Sequence, residues 1–203
     1  MMTSPPYIAF EGAEGCGKST QAARLAKRLG ALLTRETGGT AVGLRIREIL
    51  HDTDVVHLDP RAEALMAAAD RAQHIAEIVR PALDLGRTVV SDRSVYSSLA
   101  YQGYGRGLDV EEVRGLNVWA TAGIWPTTVV FLDTPDEVVA ERMSRRTLDR
   151  FEAAGEQFHE AVLRGYREMA AAEPERWITV RAVGSVDAVA EEILLALGER
   201  IPR

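Results

Sequence analysis

Short apolar runs alternate along the chain with longer stretches whose apolar positions recur every three or four residues. The runs at 7–10, 32–34, 88–91, 128–132 and 177–180 have strand length. Val89-Val90 and Val129-Val130-Phe131-Leu132 are apolar without alternation, as in strands covered on both faces. Helical spacing covers about 42–50, 61–85, 94–101, 110–122, 135–143, 155–173 and 186–197. A further helix opens near Lys18, with Ala22, Leu25, Ala26 and Leu29 on one face and Gly30 as its stop. Pro81 should bend or interrupt the last turns of the long 61–85 helix. The alternation predicts an α/β fold, a five-stranded parallel sheet with helices on both faces. With 203 residues, no repeat and no linker, the expectation is a single domain over 1–203.

The first strand runs into Gly12-Ala13-Glu14-Gly15-Cys16-Gly17-Lys18-Ser19, which fits the P-loop pattern G-x-x-x-x-G-K-[ST]. Glycines let the backbone turn tightly and offer successive N–H groups to an anion, and the helix behind adds its positive dipole end. Strand, glycine turn and helix in that order predict the three-layer fold of P-loop NTPases and a nucleoside triphosphate as ligand. Lys18 would neutralise the β/γ phosphates, Ser19 would give a hydroxyl to Mg²⁺, and Gly12 to Thr20 would cradle the triphosphate. A P-loop alone leaves GTPases, ATPases and small-molecule kinases open.

Composition narrows this little. Hydrophobic residues make up 46% and charged residues 27%, ordinary for a globular protein. The net charge of −6 speaks against a general nucleic-acid binder. No apolar run reaches membrane-spanning length and no signal peptide is evident, so neither membrane nor nucleic acid is an expected partner. The one cysteine, Cys16, has no internal disulfide partner and suits a reducing cytoplasm.

Three further stretches carry chemistry. Asp92-Arg93 ends the 88–91 strand, and an acid at that place in P-loop proteins holds Mg²⁺ or its water. Arg142, Arg145, Arg146 and Arg150 cluster between two helical patterns, in a segment of about 143–153 that could close as a basic lid over transferring phosphate. Arg35-Glu36-Thr37-Gly38-Gly39-Thr40 follows the second strand as a tight loop near the P-loop. His74 and His159 read as surface or structural residues, Trp119, Trp125 and Trp177 as core or interface, and Met66 and Met169 as packing. Neither D-x-x-G nor N-K-x-D occurs, which sets a GTPase switch aside.

Together these residues resemble bacterial thymidylate kinases, almost end to end. The likeness rests on Phe10-Glu11-Gly12 through Lys18-Ser19-Thr20, Arg35-Glu36-x-Gly38-Gly39-Thr40 and Ile46-Arg47. It continues through Ala68-Ala69-Asp70-Arg71-Ala72-Gln73-His74, Asp92-Arg93 with Ser97-Ser98-Leu99-Ala100-Tyr101-Gln102-Gly103, and Leu148-Asp149-Arg150-Phe151-Glu152 with Phe158-His159. The resemblance implies transfer of the ATP γ-phosphate to dTMP, in the cytoplasm, by a homodimer. It implies that Arg47, Arg71 and Arg93 grip the dTMP phosphate. Glu14 would meet the sugar hydroxyl or a Mg²⁺-bound water, with Ser19 and Asp92 at the metal. Glu36, Ser98, Tyr101 and Gln102 would line the pocket. Gly15 stands where some members carry a P-loop basic residue, so the chain is similar to the lid-arginine type, with Arg145, Arg146 and Arg150 as candidates. Two positions depart from the pattern. Thr37 replaces a usual proline, and Ala67 replaces the aromatic that stacks on thymine, which leaves a relaxed-specificity pyrimidine monophosphate kinase as an alternative; a non-catalytic nucleotide-binding paralogue is a separate one, which intact Lys18, Asp92, Arg93 and the lid arginines oppose.

Overall fold

The computed structural model describes residues 5–135, 137–139 and 149–200. Five strands form one parallel sheet: β1 (Tyr7–Glu11), β2 (Leu32–Arg35), β3 (Val89–Asp92), β4 (Thr128–Asp133) and β5 (Trp177–Arg181), in the order β2-β3-β1-β4-β5. Register sets Phe10 of β1 beside Asp92 of β3 and Val130 of β4. The carboxyl ends of the two central strands thus bring Glu11 and Asp92 to one edge, where open α/β sheets bind ligands.

Both sheet faces are covered, which explains the missing alternation. Ile8, Phe10, Val90, Val130 and Leu132 pack beneath α1 (Lys18–Leu29) and the C-terminal helix α8 (Val186–Leu197). On the other face Val129, Phe131 and Trp177 join Tyr96, Tyr101 and Tyr166. That layer holds α2 (Ala41–His51), α3 (Pro60–His74), α5 (Val95–Ser98), α6 (Val110–Thr121) and α7 (Glu156–Ala172). Gly30 ends α1 in a left-handed conformation with φ of 61°. Trp177 and Met169 lie in the core as expected, whereas Trp119 is exposed.

Two helices depart from the sequence expectation. The span 61–85 is three pieces: α3, a wide π turn at Ile75–Val79, and α4 (Arg80–Asp84). Pro81 has no N–H for an i−4 carbonyl, and the irregularity lies in the turn before it. The span 94–101 is α-helical only over Val95–Ser98 and continues as a π turn over Leu99–Gly105. Periodicity does not separate a 3.6-residue helix from a short wide turn, and such turns gather at functional sites. This one carries Tyr101 and Gln102.

Candidate active site

The loop between β1 and α1 bends at three glycines with positive φ, Gly12 (142°), Gly15 (72°) and Gly17 (101°). Gly17 caps α1 without a side chain, so the first amides of α1 have no side-chain acceptor from their cap and point out of the helix. Lys18, 5% exposed, folds back along the loop and donates from Nζ to the carbonyls of Gly12 (3.1 Å) and Ala13 (2.6 Å). Ser19 Oγ donates to Asp92 Oδ2 at 2.5 Å. Ala13 and Cys16 belong to the same loop, with Cys16 buried beneath it.

A cleft of about 500 Å³ opens in front of this loop. Of the sequence-predicted residues, Glu14, Gly15, Gly17, Lys18, Ser19, Thr20, Glu36, Arg47, Ala67, Arg71, Asp92, Arg93, Ser98, Tyr101 and Gln102 line it. Arg145 and Arg146 lie outside the described residues, as does Arg142. Arg150 is described and does not line the cleft. Its Nη1 donates to buried Glu63 at 2.7 Å and its Nε to the Leu50 carbonyl at 2.8 Å. That geometry ties it to the end of α2 and the start of α3.

Arg93 stands at a positive φ of 72°, costly for a side chain with a Cβ and of order 1–3 kcal/mol. Its neighbours over-determine it. Its amide donates to Phe10 O (2.9 Å), and Ser91 Oγ donates to its carbonyl (2.7 Å). Its guanidinium meets Glu14, Tyr101 Oη (3.1 Å) and Ser97 Oγ (3.2 Å). Burial would raise the Glu14 carboxyl, but Arg93 and then Lys18 overcome this and hold it at about 2. Behind Arg93, the buried Glu11 carboxylate accepts from Ser94 (2.7 Å), Ser97 (2.6 Å) and Tyr166 (2.9 Å). Burial raises Glu11 against the pull of Arg93.

Arg71 lies deeper, at 2% exposure. Its Nε donates to Glu36 (2.7 Å), its Nη1 to Ser98 (2.8 Å) and Asn117, and its Nη2 to Ser94 O (3.1 Å). Four internal acceptors hold the fork, one helical turn from Ala67. Arg71 lines the cleft beside Glu36 and Ser98. Glu36 also pairs with His74 Nδ1 at 2.9 Å. Burial would raise Glu36, and Arg71 with His74 outweighs it. Removing one member of so buried a pair costs about 3–5 kcal/mol. Arg47 contrasts with this: it makes long hydrogen bonds to Thr37, at 3.3 and 3.4 Å. The Glu36–Thr37 peptide there is cis.

Sequence reasoning missed Asn117, Glu63 and the depth of Glu11. Glu63 shares the buried side of α3 with Asp70, Arg71 and His74, and Asn117 shares that of α6 with Val113 and Thr121, so neither stands out in the sequence pattern. His74 lies three residues after Arg71 and so shares its helix face.

Against known proteins, the family model described as thymidylate kinase matches residues 10–193. The chain belongs to the thymidylate kinase family. It is 45% identical over 201 residues to a thymidylate kinase of Synechococcus sp. (strain JA-2-3B'a(2-13)), covering 97% of this chain and 96% of that protein. A thymidylate kinase of Bifidobacterium longum (strain NCC 2705) is 44% identical over 191 residues, 90% of this chain and 92% of its own length. The crystal structure of thymidylate kinase from Ehrlichia chaffeensis superposes with a TM-score of 0.80 at 27% identity, covering 97% of this chain and all of that one. That solved structure shares the P-loop fold seen here.

Proposed function

We propose a residue-level account of the reaction that family membership assigns: ATP gives its γ-phosphate to dTMP, yielding ADP and dTDP. The observation that carries it is the meeting of the P-loop with Arg47 and Arg93 in one cleft. Loop amides and Lys18 hold the ATP phosphates. Arg47 and Arg93 grip the acceptor phosphate and aim one of its oxygens in line with the γ-phosphorus. That oxygen is already anionic, so the chain need supply no strong general base. Arg71, Ser98, Tyr101 and Gln102 form the nucleoside end, with Ala67 as its small wall. Glu14 holds Arg93 at the mouth. Arg145 and Arg146 are the residues proposed to reach the transferring phosphate.

Mg²⁺ fits the residues present. Ser19 and Asp92 bring hard oxygen donors together beside the P-loop, and MgATP sites use one or two protein oxygens plus phosphates rather than a dedicated cage. Among the described residues no cluster of three or more carboxylate, imidazole or thiol ligands occurs. Ser19 would hold the ion directly and Asp92 would hold it or its water. The ion supplies charge neutralisation at the phosphates.

The exposed apolar residues Val42 and Ile49 on α2, Leu65 on α3 and Trp119 on α6 favour a homodimer, because α3 packs between α2 and α6. A cytoplasmic setting accords with the single cysteine, and no described helix is long and apolar enough to cross a membrane. Steady-state kinetics of R47A test the assignment. The KM for dTMP should rise about tenfold to a hundredfold with the KM for ATP unchanged. A rise confined to ATP would move Arg47 to the donor side.

A further inference from the structure

Glu63 is a fully buried carboxylate outside the cleft, on α3 two turns before Arg71. Three side chains from two other segments converge on it. Gln102 Nε2 donates to Oε1 at 2.9 Å. Arg106 donates from Nε to both oxygens, at 3.3 and 3.2 Å, and its Nη2 lies 3.1 Å from Oε2. Arg150 Nη1 donates to Oε2 at 2.7 Å. The two guanidiniums are themselves braced on rings, Arg106 over Phe158 at 4.4 Å and Arg150 over Phe151 at 4.6 Å.

We propose that Glu63 is a positioning residue that sets the base preference of the acceptor site by fixing which way the Gln102 carboxamide points. Gln102 is 3% exposed and lines the cleft, so one edge of its amide meets Glu63 and the other meets the ligand. A carboxylate offers acceptors only. The amide nitrogen must therefore face Glu63, and Oε1 is the acceptor left for the base. Flipping the amide would set Oε1 against the Glu63 oxygen, losing a charge-assisted bond and opposing two acceptors. An Oε1 fixed toward the cleft, with the second N–H beside it, matches a base with an N3–H donor next to a carbonyl. That is the edge of thymine and uracil. Cytosine offers an acceptor at N3 and a donor at N4, and meets the fixed amide with the wrong polarity. The two arginines prevent Glu63 from turning, because any rotation breaks two further ion pairs.

The inference rests on the reading that Gln102 contacts the base, and the test separates the two. Initial rates would be measured with ATP, Mg²⁺ and dTMP, dUMP or dCMP for the wild type, E63Q and Q102L, with thermal unfolding as a check on folding. A Gln side chain at position 63 can present either a donor or an acceptor, so the lock on Gln102 is lost. The preference of E63Q for dTMP over dCMP, as kcat/KM, should fall about tenfold or more, within the range of one bidentate base contact. Its preference for dTMP over dUMP, which share the N3–H edge, should hold. A folded E63Q with both preferences unchanged, or with both falling together, overturns the proposal, since loosening of the pocket would move both. A Q102L variant with an unchanged KM for dTMP removes the base contact itself and the proposal with it. If E63Q does not fold, Q102E decides. Two opposed carboxylates need a shared proton, so its dTMP turnover should fall above neutral pH where the wild type's does not. A pH profile parallel to the wild type's would overturn the assignment.

Discussion

Glu14 and Arg93 meet at the mouth of the cleft, and their pairing has a definite pH signature. The Glu14 carboxyl sits at about 2 against an ordinary 4.5. A depressed carboxyl stabilises the fold fully above its unfolded value and loses that contribution as pH falls through the folded value. Wild-type stability should therefore drop more steeply than that of E14Q between about 4.5 and about 2, measured as unfolding midpoints in matched buffers. Parallel curves would mean the pair contributes nothing in solution. Ala67 makes a second residue-scale prediction. It is small, lines the cleft, and stands one turn from Arg71. A67F should lower the KM for dTMP several-fold, about the 0.5–1.5 kcal/mol of an aromatic stack. An increase would show that the wall is already filled. At this scale the sequence was informative wherever chemistry is local: Lys18, Ser19 and Asp92 could be named from the motif and a strand end. The sharing of Arg71 among Glu36, Ser98 and Asn117 could not, because those partners lie 27 to 46 residues away and meet only in the folded sheet layer.

Among elements, the junction of α2 with α3 sets the position of Arg47. Gly43 of α2 lies against Asp70 of α3, where an added Cβ would stand 2.2 Å from Asp70 Oδ1. Asp70 Oδ1 also accepts from the Gly38 amide at 2.9 Å, so the contact cannot simply give way. G43A should push α2 outward, costing about 1–3 kcal/mol as overpacking does and raising the KM for dTMP more than that for ATP. Chemical denaturation and steady-state kinetics read the two effects, and unchanged values in both would show that α2 floats free of α3. The strands were legible because doubly covered parallel strands leave uninterrupted apolar runs, as in Val129 to Leu132. The π turns were not. Leu99–Gly105 keeps an apolar rhythm close to that of a helix, while Tyr101 within it packs against Phe151, Phe158 and Tyr166, all far away in sequence. The Asp149-Arg150 turn docks on the end of α2 through His51 and Leu50, a long-range contact that no local pattern announces.

For the whole molecule, two claims meet experiment. If the α2, α3 and α6 layer forms a homodimer, L65R should shift sedimentation from dimer to monomer, because a charge would enter a buried apolar contact. A monomeric wild type would remove the claim. The central claim is that one cleft binds ATP phosphates at the P-loop and dTMP across from them, and transfers the γ-phosphate. Its most direct test is an ATP-to-ADP coupled assay with Mg²⁺ across dTMP, dUMP, dCMP, UMP, CMP and AMP. The kcat/KM for dTMP should stand well above that of every other acceptor, with dTDP as product. Comparable turnover of several acceptors, or none of any, would contradict it.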